Sequence, residues 1–186
     1  MTIIKSNEAE ENALLLAAQL MAVSVRTAPK TRGVDHITTS IVTGEEKERI
    51  AQTMEMKVEQ KKKRLTFFKR DAENLRRSPV ALLVGVKGTF TEGLDCGACG
   101  YASCEDFSKA EKREGEDFTG PVCMFKALDL GIALGSAGKV ASDLNVDNRI
   151  MYTIGAAAKA LNLLDADVII GIPLSASGKS IYFDRK

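Results

Sequence analysis

Gly93-Leu94-Asp95-Cys96-Gly97-Ala98-Cys99-Gly100-Tyr101-Ala102-Ser103-Cys104, answered by Gly120-Pro121-Val122-Cys123, is the stretch around which this chain is organised. It holds all four cysteines of the 186 residues, in the spacing C-x2-C-x4-C-x18-C. Three thiolates from one tight loop and a fourth from farther along are what a polynuclear iron–sulfur cluster needs to be caged. Gly97 and Gly100 directly follow the first two cysteines. Glycine there permits unusual dihedrals and lets N–H groups approach sulfur, where hydrogen bonds tune the potential. Cys123 precedes a long helical pattern, so its thiolate is expected at the positive end of a helix dipole.

Rival readings of the same cysteines stay open at this point. A structural zinc site uses thiolates too, and C-x2-C-G-x3-C opens like a zinc knuckle. Lys109 stands where a knuckle would place its last ligand, and the gap to Cys123 is not a second C-x2-C pair. Disulfides are not expected, because no signal peptide precedes the chain and cytosolic thiols stay reduced. Lys109, Lys112, Arg113 and Lys126 lie near the cysteines, interleaved with Glu105, Asp106, Glu111 and Glu114 as on an ordinary charged helix.

The length allows one domain with a sizeable core, residues 1–186, into which residues 88–126 insert as the cluster-binding segment. Apolar residues make up 45%, and 26 basic residues face 25 acidic ones for a net charge of +1. That balance points away from nucleic acid and from anionic membranes. The apolar run from Ala13 to Val25 is broken by Gln19 and Ser24 and is too short to span a bilayer. A cytoplasmic protein is expected.

In chain order, a helix is expected from Glu8 to about Ser24, apolar enough to be buried on most sides, and broken by Thr27-Ala28-Pro29. His36 to Val42 reads as a strand. Ile50, Met54, Val58, Leu65, Phe68, Ala72 and Leu75 read as the seam of one long helix from Gly44 to the Ser78-Pro79 stop, with Lys61-Lys62-Lys63-Arg64 on its solvated face. Val80 to Val86 is a buried strand. Glu105 to Glu114 reads as a short charged helix. Cys123 to about Leu144 reads as a long one, with the small-residue stripe Ala127, Gly131, Gly135 and Gly138 for close helix packing or a dimer contact. A helix over Asn148 to Leu164, a strand over Asp167 to Pro173 and a short edge or swapped strand at Ile181-Tyr182-Phe183 complete the reading. The order implies an α/β (α+β) mixed sheet layered with helices.

Pro173-Leu174-Ser175-Ala176-Ser177-Gly178-Lys179-Ser180 nearly spells a phosphate loop, but Pro173 stands where the pattern wants glycine. Ser175, Ser177 and Lys179 remain candidates for a cofactor phosphate. His36, the only histidine, reads as a structural residue at a strand edge. Tyr101 and Phe107 read as shields between the cysteines and water. No residue pattern specifies a catalytic group.

The run from Asp95 to Phe107, with Gly120 to Cys123, resembles the [4Fe-4S] module of Rnf-type electron-transport subunits and of the corrinoid iron–sulfur protein. VRTAPKTRGVDHI (25–37), DLGIALGSAGKVASDLNVDNRIMYTIG (129–155) and DVIIGIPLSASGK (167–179) resemble a prokaryotic family of ferredoxin domain-containing proteins that has no assigned reaction. The resemblance implies cluster ligation by Cys96, Cys99, Cys104 and Cys123. It leaves an electron carrier or redox sensor, serving a redox partner protein or a small donor or acceptor, beside a structural staple of zinc or cluster.

TAPKTRGVDHITTSIVTGEEKERI (27–50) and DLGIALGSAGKVASDLNV (129–146) also resemble FMN-dependent nitroreductases. This implies a nitroreductase-like fold, a homodimer around the small-residue helix, and an FMN whose phosphate Arg26 and Arg32 would reach. The alternative function is then a flavin oxidoreductase fed by the cluster. Lys30, Thr31 and Asp35 stand where that family often has serine and asparagine contacts to flavin.

Overall fold

Val80-Ala81-Leu82-Leu83-Val84-Gly85-Val86 carries no charge, and such a strand needs cover on both faces. The computed structural model, which describes residues 3–60 and 66–183, gives it that cover. In chain order the elements are α1 (Ser6–Thr27), a single helical turn (Thr31–Gly33), β1 (Ile37–Val42), α2 (Gly44–Gln60), α3 (Thr66–Arg76), β2 (Val80–Val86), α4 (Cys104–Lys109), β3 (Arg113–Glu114), β4 (Thr119–Gly120), α5 (Met124–Asp143), β5 (Asp147–Asn148), α6 (Tyr152–Ala160) and β6 (Val168–Ser175). The main sheet has the order β1-β2-β6-β5, and each of its strand pairs is antiparallel. All of β2 is buried.

Alternation along the strands divides the core. Val80, Leu82, Val84, Ile172 and Leu174 face α1 and α5. Ala81, Leu83 and Ile169 face α2, α3 and α6. The result is the expected α/β layering, helices on both faces of one sheet. α6 lies directly on β6. A Cβ on Gly155 would stand 1.7 Å from the Ile169 carbonyl oxygen, and one on Gly171 would stand 2.2 Å from Ile154 Cγ2. Those two glycines set the approach of the layers.

Several expectations are corrected. The long helix from Gly44 is a hairpin of α2 and α3. In one continuous helix Glu55 and Arg76 would be about 32 Å apart, whereas Arg76 Nη1 lies 2.7 Å from Glu55 Oε1 and its Nε lies 3.1 Å from Glu48 Oε2. Folding back lets Ile50 and Met54 share a core with Phe68, Ala72 and Leu75. The basic run Lys61–Arg64 lies outside the described residues.

α1 is not buried on most sides. Leu14, Ala17, Ala18, Met21 and Val25 face the core, while Leu15, Leu16, Leu20 and Val23 are exposed, because an outer-layer helix presents only one face to the sheet. The charged helix of the insertion stops at Lys109, since Arg113–Glu114 pair with Thr119–Gly120 instead. The helix expected from Asn148 begins at Tyr152, because Asp147–Asn148 pair with β6. Ile181-Tyr182-Phe183 forms no strand. Tyr182 is buried as an anchor, its hydroxyl 2.8 Å from Ser78 Oγ and its carbonyl accepting from Arg149 Nη1 at 2.7 Å. No described helix is long and apolar enough to cross a membrane.

Candidate iron–sulfur site

The insertion leaves the sheet beyond Val86 and returns at Cys123, so the hydrogen bonds that close its neck decide where the cysteines sit. Cys123 N–H donates to the Gly88 carbonyl at 2.8 Å. Thr89 donates to Asp167 Oδ2 twice, from N–H at 2.9 Å and from Oγ1 at 2.8 Å. Thr119 N–H donates to the Asp167 carbonyl at 3.0 Å. The residue just before β6 thus clamps both the outgoing and the returning strand of the insertion.

Cys96, Cys99, Cys104 and Cys123 are free thiols that line one small hollow, walled also by Leu94, Tyr101 and Phe125. Cys123 is buried, Cys99 and Cys104 are half-buried and Cys96 is exposed. The loop turns at Gly97 (φ +67°) and Gly100 (φ +87°), where the left-handed backbone requires glycine. Asp95 and Cys104 latch each other. Asp95 N–H points at Cys104 Sγ at 3.4 Å, and Cys104 N–H donates to Asp95 Oδ1 at 2.7 Å. Ser103 caps α4 by accepting from Asp106 N–H at 3.0 Å. Cys123 is the N-cap residue of α5, so its sulfur sits at the positive end of a 20-residue helix.

Among the described residues, no three His, Cys, Asp or Glu side chains already converge on the position of one metal ion. Four cysteine sulfurs around a shared hollow, one of them receiving an N–H, are a soft donor set that suits an iron–sulfur cluster. Tyr101 is part of the wall, as expected. Phe107 is fully buried behind it in an edge-to-face contact at 5.5 Å.

Behind the hollow lies a charge cluster that the sequence does not announce. Lys126, one turn after Cys123, is 0% exposed and ion-paired with Glu92, which lines the hollow. Its Nζ is 3.5 Å from Asp129 Oδ2, and Asp129 Oδ1 accepts from Thr31 N–H and Oγ1, both at 2.8 Å. Arg32 Nη1 donates to the Glu92 carbonyl at 2.7 Å. His36 stands at the same place, its Nδ1 3.8 Å from Glu92 Oε1 and its ring 4.9 Å from that of Phe90. The other basic residues near the cysteines face outward: Lys109 and Arg113 are exposed and paired with Glu105 and Glu111, and Lys112 covers the Phe107 ring. The one signal in the sequence is that Lys126 and Asp129 are a charged pair three apart in the first turns of a helix whose next charge is Lys139.

The five residues considered for a flavin phosphate do not gather in this chain. Arg26 donates to Asp35 Oδ2 and to the Ile37 carbonyl, and with Arg32 it belongs to the cysteine end of the sheet. Burial pushes the Asp35 carboxyl up, but the Ile37 N–H and Arg26 outweigh it and hold it below its ordinary value. Ser175, Ser177 and Lys179 lie at the opposite end, because Val168 pairs with Val86 and Leu174 with Val80. A strand of that length separates the two groups by roughly 20 Å. Ser177 Oγ donates to the Lys179 carbonyl at 2.7 Å, and no helix follows β6 among the described residues, so this turn lacks the frame of a phosphate loop.

Comparison with known proteins agrees with this geometry. A family model described as "Putative Fe-S cluster" matches residues 92–117, and one described as "Uncharacterized protein containing a ferredoxin domain" matches residues 119–185. An uncharacterized protein of Archaeoglobus fulgidus is 51% identical over 183 residues, 98% of this chain and 97% of that one. The fold is that of the nitroreductases. A nitroreductase with bound FMN from Desulfitobacterium hafniense matches with a TM-score of 0.57 at 12% identity, over 96% of this chain and 81% of that one. A nitroreductase family protein from Clostridium novyi matches with a TM-score of 0.55 at 13% identity, over 98% and 79%. At these identities the likeness is one of fold. With a relative of that closeness along its whole length and both segments matched, the chain belongs to the family of proteins containing a ferredoxin domain, built on the nitroreductase fold.

Proposed function

We propose that this protein is a [4Fe-4S] redox protein, an electron carrier or redox sensor, with Cys96, Cys99, Cys104 and Cys123 as ligands. The observation that carries the reading is that all four free cysteines line a single hollow. A bound cluster would supply one-electron chemistry. The chain's own residues do the rest. Cys123 closes the inner side, the Asp95 N–H lowers the charge on Cys104, and Tyr101, backed by Phe107, limits water. Cys96, on the exposed side, gives a redox partner protein or a small donor the shortest approach. Four free thiols fit a reducing, cytoplasmic setting. Absorption of anaerobically purified protein before and after dithionite tests the reading. A broad band that bleaches, and that disappears in Cys99→Ser, supports it; a colourless protein carrying one zinc per chain replaces it with a structural site.

A second reading is favoured by the fold, because a nitroreductase with bound FMN shares it. Arg26 and Arg32 sit at the cysteine end of the sheet, where they would meet a flavin fed by the cluster. Stoichiometric FMN after incubation with an excess supports that reading, and a flavin-free protein removes it.

We also propose a homodimer through α5. Met124, Leu128 and Ile132 are exposed on one face, and Gly131 and Gly135 have open space above them, so a second α5 can approach closely. Light scattering on wild type and Leu128→Glu tests this: a dimer that the charge dissociates is the expected result.

A further inference from the structure

We propose that Lys126 sets the reduction potential of the cluster, acting as a fixed buried cation whose effect Glu92 and Asp129 oppose. The inference rests on the iron–sulfur reading of the four cysteines. Lys126 is 0% exposed, a position a lysine rarely takes without a partner. Around it, Glu92 and Asp129 supply the carboxylates, the Val34 carbonyl accepts from Nζ at 3.4 Å, and His36 Nδ1 stands 3.8 Å from Glu92 Oε1. The group adjoins the site through two residues. Lys126 lies one turn after Cys123 on α5, and Glu92, its ion-pair partner, is itself part of the wall of the cysteine hollow.

Uptake of one electron from a low-potential donor adds one negative charge to a cluster that carries about −2 together with its thiolates. No bond to a protein atom forms or breaks, and no proton is required. A fixed positive charge beside the cluster favours the added electron, and fixed carboxylates disfavour it. Burial matters here, since solvent screens exposed pairs such as Lys109–Glu105 but not this one. The three side chains also tie the turn at Thr31, the loop at Glu92 and α5 together, so a purely mechanical role must be told apart from an electrostatic one.

The sign of the shift separates them. Spectroelectrochemical titration of wild type, Lys126→Met, Glu92→Gln and Asp129→Asn, each reconstituted and assayed for iron and sulfide, is the experiment. The potential falls in Lys126→Met and rises in Glu92→Gln and Asp129→Asn. Each variant breaks the same triad, so a mechanical role moves all three in one direction or none. Equal signs, or no shift, in variants that hold their cluster overturn the inference. If Lys126→Met loses its cluster, Lys126→Gln takes its place: its potential must fall while those of Glu92→Gln and Asp129→Asn rise, and a common direction overturns the inference. A wild-type protein that takes up no cluster is a different failure, that of the iron–sulfur reading itself.

Discussion

The sheet and the cysteine insertion are built on opposite plans. In the sheet, β2 and β6 are covered on both faces, and backbone ladders with apolar packing hold position. The insertion from Gly88 to Cys123 has one short helix and one two-residue hairpin. It is held at a few points: Cys123 to Gly88, Thr89 to Asp167, Asp95 to Cys104, Lys126 to Glu92. The sheet's stability is therefore spread over many contacts, whereas the insertion is held by a few polar bonds and by Phe118, which packs on Tyr152 and the core beside it. A fold can carry a new site this way. A loop at one strand end is clamped at the neck, and a bound cluster would supply the core it lacks.

The sharpest way to break the comparison is Cys123→Ser. It should abolish nearly all bound iron, since thiolate is the ligand, while the far-UV circular dichroism of the sheet and its helices stays as in wild type. Loss of the whole fold would mean the two regions are one cooperative unit. Gly155→Ala is the converse. Its Cβ would strike the Ile169 carbonyl, a backbone atom that cannot turn aside, so urea unfolding should show a loss of about 3 kcal/mol or more, with iron per folded chain unchanged.

Thr89→Val removes one of the two donors to Asp167 Oδ2 at the neck. A loss of about 1 kcal/mol and faster release of iron to a chelator are expected, and an unchanged release rate would show that the clamp does not hold the insertion.

The smallest effect concerns Tyr152, which starts α6 and donates to Asp117 Oδ2 of the insertion at 2.8 Å, beside Lys57. Burial, then the hydrogen bond and charge of Asp117, push its hydroxyl up from 10.0 to about 12. The folded value is the higher one, so its contribution is complete below pH 10 and is lost as pH rises toward 12. Tyr152→Phe should flatten that alkaline decline in thermal melting, and an identical decline in the variant would assign it elsewhere.

Much of this was legible before any coordinates. β2 announces itself by seven uncharged residues, and the four cysteines by their spacing. α2 and α3 read as one helix because their apolar seam continues in phase, while the reversal is fixed by tertiary pairing of Arg76 with Glu48 and Glu55. α1 looks buried because its outer face is as apolar as its inner one. The Lys126–Glu92 pair joins residues 34 apart, and no local pattern reports such a distance. The separation of Arg26 and Arg32 from Ser175 and Lys179 is a matter of strand register, invisible when both ends carry plausible phosphate contacts.

The central claim is that the four cysteines hold a redox-active cluster. Iron and sulfide analysis of anaerobically purified protein, joined to electron paramagnetic resonance of the dithionite-reduced sample, tests it most directly. The account predicts iron and sulfide in equal amounts, roughly 4 of each per chain, and a reduced-state signal that integrates to about one spin. Zinc at one per chain, with no sulfide and no signal after reconstitution, would contradict it.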